Sequence, residues 1–167
     1  MSQVFVLPRV LVGKINLSPF FVSPFLVRDI FAMKMLLEVE KKKPAQVHEF
    51  SKVEKVLRGL KSYGPQSYAS LTKTDGSYLQ VAGGGVSCVM EMREKPSDRH
   101  WRAYLEVAKV PFKGQQTLMF GGGHMTMEPD EVLFIEDVVA VFRAFFESKP
   151  FPKDIKWRDM SQIVRRT

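Results

Sequence analysis

The sequence predicts an α+β domain, in which an antiparallel sheet of about four to five strands carries two amphipathic helices packed on one face. Two stretches, residues 44–61 and 135–147, place apolar residues at spacings of three and four, the period of a half-buried helix. Between them lie short segments whose apolar residues alternate, joined by glycine-bearing turns. Connections this short suit strands that pair with their chain neighbours, and helices at both ends of such a run give helices on one side of the sheet.

The 167 residues, 45% hydrophobic and 26% charged, suffice for one domain with a buried core. We expect that domain over residues 33–167, preceded by an apolar, proline-containing extension over residues 1–32. Pro8, Pro19 and Pro24, with Arg9 and Lys14, interrupt every window of the ~20 apolar residues that a spanning helix needs. No membrane span is therefore expected, and the pattern of a secretory signal is missing as well. The formal charge is +7, and a folded chain beginning at Met35 would shed Arg9, Lys14, Arg28, Lys34 and Asp29 and carry +4. Such a surplus permits an acidic partner without demanding one. The run Lys41-Lys42-Lys43 sits beside Glu38 and Glu40 and reads as a solvated face. A lone cysteine, Cys88, allows no internal disulfide and fits a reducing, cytoplasmic setting. Its neighbours Val86, Val89 and Met90 make it core filling rather than a nucleophile.

Taken in order, Val47, Phe50, Val53, Val56, Leu57 and Leu60 form the first helical stripe, with His48 among charged residues facing solvent. Tyr63-Gly64-Pro65 ends it, because a proline disfavours helix in the residue before it. Asp75-Gly76 suits a type I′ hairpin between strands at about residues 68–74 and 77–82. Gly83-Gly84-Gly85 then turns the chain into a strand over residues 86–93. The cleanest alternation follows at residues 101–108. Trp101, Ala103, Leu105 and Val107 take the core face, leaving Arg102, Tyr104 and Glu106 for solvent or a partner. A short strand at residues 117–120 leads to Gly121-Gly122-Gly123-His124 and a further extended stretch. In the last helix Val138, Val139, Phe142, Phe145 and Phe146 form a broad apolar stripe behind Glu136 and Asp137, which the helix dipole favours in the first turn. Phe142 and Phe145, with Trp101 and Trp157, are the expected structural anchors.

The glycine runs lack the GxxxxGK[ST] and GxGxxG patterns of phosphate and dinucleotide loops. They read as bends where a side chain would collide with neighbouring backbone. His48, His100 and His124 show no metal-ligand spacing, so no metal or cofactor is expected, although His124 could meet Glu128 or Asp130 if the segment folds back. There is no GxSxG elbow, and adjacent acids such as Asp130-Glu131 rarely share a cleft. Nor is there a motif for direct nucleic-acid binding.

Four short motifs nevertheless occur in a telling order: Tyr78 to Gly84 as Tyr-x-Gln-x-Ala-Gly-Gly, Glu91-Met92-Arg93, Gly121 to Gly123, and Trp157-Arg158-Asp159. In these the chain resembles small bacterial immunity proteins of polymorphic toxin systems over about residues 68–160. The resemblance implies a cytoplasmic non-enzyme that occludes a cognate protein toxin, with nucleic acid as the favoured target of that toxin. Arg102, Tyr104, Glu106 and His124 are the expected partner-binding residues, Trp157 docks the tail, and Arg158 with Asp159 makes at most a local ion pair. A basic chain departs from the acidic character common among inhibitors of nucleic-acid-directed toxins. The alternative is a small enzyme or ligand-binding domain with a site at Gly83–Gly85 and Gly121–His124, and a weaker third is a nonspecific nucleic-acid binder.

Overall fold

The computed structural model of the protein describes residues 34–164; the extension expected over residues 1–32 lies outside them. The described elements are β1 (Met35–Val39), β2 (Ala45–Val47), α1 (Phe50–Arg58), β3 (Tyr68–Thr72), β4 (Tyr78–Gly84), β5 (Ser87–Glu94), β6 (Arg99–Leu105), β7 (Gln116–Phe120) and β8 (Gly123–Met127). A 3₁₀ turn (Pro129–Glu131), α2 (Ile135–Phe146), β9 (Ile155–Asp159) and the single turn α3 (Ser161–Val164) complete them.

Seven strands form one antiparallel sheet in the order β2-β1-β3-β4-β5-β6-β9, and β7 with β8 forms a separate hairpin. The α+β class is as expected, but the sheet is larger than the four to five strands read from the sequence. β1 lies ahead of the first element the periodicity marked. β2 takes residues assigned to the start of the first helix: Val47 pairs with Met35, and helix begins only at Phe50. Val47 lies three residues before Phe50, so a buried strand residue was indistinguishable by spacing from a helical one.

On one face of the sheet Leu37, Leu71, Leu79, Val81, Met90 and Ala103 join one continuous core with Phe50, Val53 and Leu57 of α1 and Val138, Val141, Phe142 and Phe145 of α2. The two helices meet edge to face through Phe50 and Phe146, with ring centroids 5.8 Å apart. Phe142 is fully buried and Phe145 nearly so, while Trp101 and Trp157 pack half-buried against the same core, Trp157 on Phe151 at 5.2 Å.

The Asp75-Gly76 hairpin forms, yet not as type I′. Gly76 has φ +86°, but Asp75 does not enter the left-handed region. Gly76 N–H closes on Lys73 O at 3.0 Å, and Lys73 N–H on Ser77 O at 2.8 Å. This is the three-residue loop, a tight turn followed by a left-handed glycine. Asp75 is held out of type I′ because its carboxylate accepts the Ser77 N–H at 2.8 Å.

The second face of the sheet is also covered. Ala82 and Val89 sit under Leu118, Phe120, Met125 and Met127 of the β7–β8 hairpin, together with Val132, making a second, smaller core.

Candidate functional site

Antiparallel register places one residue from each successive strand in a row across the sheet. On the hairpin face that row is Glu38, Ser70, Gln80, Glu91, Arg102 and Arg158, each directly opposite the next. Gln80 Nε2 donates to Glu91 Oε2 at 3.0 Å, and Arg102 donates through Nε and Nη2 to Glu91 Oε1 at 3.0 and 2.7 Å. Arg102 and Arg158 face one another on neighbouring strands, a like-charge pair that would repel on its own. Glu131 resolves this. Its Oε2 lies 3.4 Å from Arg102 Nη1 and its Oε1 accepts from Arg158, whose other nitrogen donates to Asp130 at 2.9 Å. Burial opposes the charge on Arg158, but Asp130 and Glu131 outweigh it and raise its pKa. Three of the four motifs carrying the resemblance thus contribute to one network: Gln80, Glu91 and Arg158.

The expectation that Arg102 faces a partner is overturned, because its side chain is 0% exposed. Its strand face was read correctly, but that face is roofed: Arg102 Nη1 also reaches Thr126 O of β8 at 3.3 Å. Tyr104 is half-buried with the Arg158 guanidinium 4.7 Å over its ring. Glu106 is exposed, beside Lys156 at 3.4 Å, and His124 is exposed near the hairpin tip, opposite Met119. Arg158 does not pair with its neighbour Asp159, which instead accepts the Ser161 N–H at 2.8 Å. Glu131 was missed as a site residue. Its signal was the Glu128-Pro129-Asp130-Glu131 run, in which Glu131 Oε2 accepts the Glu128 N–H at 3.1 Å in a capping box.

Where the row reaches the surface, Glu106, Ala108, Glu128, Asp130, Glu131, Arg158 and Asp159 line a cleft of about 660 Å³. With Pro129, Met160 and Ile163 the lining numbers ten residues, five of them carboxylates against one guanidinium. The cleft gathers negative charge on a chain whose formal charge is +7.

The glycine turns meet at Ser67, whose carbonyl accepts the Gly83 N–H and whose Oγ accepts the Gly121 N–H, both at 2.7 Å. Ser67 in turn donates its N–H (2.8 Å) and O–H (2.7 Å) to buried Glu40. Burial pushes the Glu40 carboxyl up, but the two Ser67 hydrogen bonds and Lys41 outweigh it and leave its pKa below the ordinary value. A Cβ would lie 2.0 Å from Ser87 O at Gly83, 2.2 Å from Leu60 O at Gly84, and 1.9 Å from the Glu40 carboxylate at Gly121. Gly83 and Gly84 meet backbone, as the collision reading expected, whereas Gly121 meets a side-chain carboxylate and Gly122 the Phe120 ring. At Gly85 and Gly123 nothing lies within 4 Å, and the positive φ is what glycine serves.

Cys88 is fully buried, and burial, with Asp137 nearby, pushes its thiol up to about 12. We expect the native protein at pH 8 to resist thiol-specific reagents on the timescale at which the denatured chain reacts. Stoichiometric labelling of the native fold would place Cys88 at an accessible site. His124 and Glu128 lie four residues apart on and just past an extended strand, ~13 Å, so the chain does not fold back between them. Among the described residues no group of three or more His, Cys, Asp or Glu converges as metal ligands, and no helix is long and apolar enough to cross a membrane. No family model and no curated protein matches the chain.

Proposed function

We propose that the protein is an immunity-type binding protein that neutralises a cognate toxin by covering its active site, without catalysis of its own. The observation that carries this reading is the acidic cleft on a basic chain. A toxin acting on nucleic acid must hold phosphates with Lys and Arg, and the carboxylates of Glu106, Glu128, Asp130 and Asp159 offer such a surface an alternative partner. The departure noted in the sequence, a basic inhibitor, is reconciled by local rather than net charge. The toxin itself enters through the four motifs that resemble immunity proteins. Glu106 belongs to the interface in this reading, Tyr104 supports it from beneath Arg158, and His124 contributes from the hairpin tip.

Glu106→Lys tests it, because the side chain is 73% exposed and its replacement leaves the core intact. Full-length wild type and variant are used as bait in lysate of the source organism. The expected partner is captured by wild type, bound about tenfold or more weakly by the variant, and arrests growth when expressed alone; wild type, and not the variant, restores growth. A partner that is harmless by itself, or one that binds both baits equally, would overturn the reading.

A further inference from the structure

Of the large apolar side chains left exposed, Tyr63 (92%) and Val86 (67%) line one cleft of about 710 Å³. It lies at the end of the sheet, where the connection from α1 to β3 meets the β4–β5 turn. Leu60, Leu118, Met127 and Ile135 supply its apolar lining, and Arg58 and Lys61 are its charged members; no carboxylate lines it. Arg58 is already held by Glu54 and Glu136. Lys61 is in no ion pair among the described residues.

Both exposed side chains are presented on closed backbone. The Lys61 N–H bonds Gln66 O at 3.0 Å and the Gly64 N–H bonds Lys61 O at 2.9 Å, so Tyr63 stands on a tight loop. Val86 follows Gly85, which takes φ +67° and whose carbonyl accepts the Ile135 N–H at 2.8 Å. The Leu60 carbonyl packs on Gly84, fixing one loop against the other. An aromatic left in water on a hydrogen-bonded turn buries little surface on folding, whereas a Tyr presented beside an apolar floor is what an interface anchor requires.

We infer that this cleft docks a short segment of a partner protein that places an apolar side chain on Leu60, Leu118, Met127 and Ile135 and a carboxylate against Lys61. The site goes beyond the toxin reading. It shares no lining residue with the acidic cleft and its local charge has the opposite sign, so it selects a segment of different chemistry.

The experiment pans a displayed library of random short peptides against the full-length protein, then measures affinities of the enriched sequences by fluorescence anisotropy. Enriched peptides are expected to join Asp or Glu to a nearby aromatic or branched apolar residue. Their affinity should fall about tenfold or more with Tyr63→Ala and with Lys61→Glu, weaken with salt in wild type, and stay unchanged with Glu106→Lys. Val86→Asp, also at an exposed position, serves as a second variant should either of the first two lose stability. Absence of enrichment, a basic consensus, or affinity indifferent to Tyr63 would overturn the proposal, as would self-association of the free protein that Tyr63→Ala abolishes, since the occupant would then be a second copy. Growth protection against a toxin is read separately, so peptide binding without protection sinks the immunity reading and leaves this surface standing.

Discussion

Replacing Arg102 by alanine is expected to lower stability by about 3–5 kcal/mol, the cost of stripping a buried carboxylate of its cation. Glu91 is 1% exposed and receives both the Nε and Nη2 hydrogens of Arg102 on one oxygen. The same substitution removes the donor to Thr126 O and the contact to Glu131, two of the ties that hold β8 and the 3₁₀ turn over the sheet. For a domain of this size the loss corresponds to a fall in Tm of roughly 10–15 °C, read by thermal unfolding with a denaturant titration in parallel. Arg102→Met combined with Glu91→Gln should recover part of it, because removing both charges leaves no buried ion without a counter-charge. An Arg102 that served a partner from the surface would behave oppositely, with affinity lost and Tm unchanged.

That contrast marks how far the sequence was legible. Alternation read over residues 101–108 told correctly that Arg102 lies opposite Ala103 in facing, because strand period is a local property, but the strand ends at Leu105 and Val107, expected on the core face, is 81% exposed. Nor could alternation tell what covers the second face. The roof is the hairpin over residues 116–127, brought over by contacts between residues far apart in the chain. The same reason hid the role of Glu131, whose partners Arg102 and Arg158 arrive from β6 and β9. Strands β3 to β6 and the two helices were visible in their periodicity. β9, with the alternation Ile155, Trp157 against Lys156, Arg158, spans too few residues to separate from a tail. The acidic cleft was invisible because its carboxylates come from three segments and the net charge has the other sign. Tyr63 was read only as part of a helix stop, since nothing local says that the turn would hold it in solvent.

Gly84→Ala is expected to cost roughly 3 kcal/mol or more, although its backbone angles are ones any residue adopts. The cause is space alone: the added Cβ would lie 2.2 Å from Leu60 O and 2.4 Å from Leu60 C, and backbone cannot swing aside as a flexible side chain can. Gly85→Ala, one residue on, is the control. Nothing lies within 4 Å of its Cβ, so only the left-handed φ of +67° opposes it, at about 1–2 kcal/mol. Chemical denaturation of the two variants separates the causes, and equal losses would falsify the close-approach account. A phosphate-cradling loop predicts another pattern, folding unchanged and ligand lost in both. The consequence reaches the surface through Leu60, whose displacement carries Lys61 and Tyr63 with it. Gly84→Ala, assayed below its unfolding temperature, should therefore weaken the acidic-apolar peptides as well, while Gly85→Ala disturbs only the Val86 side of the same cleft.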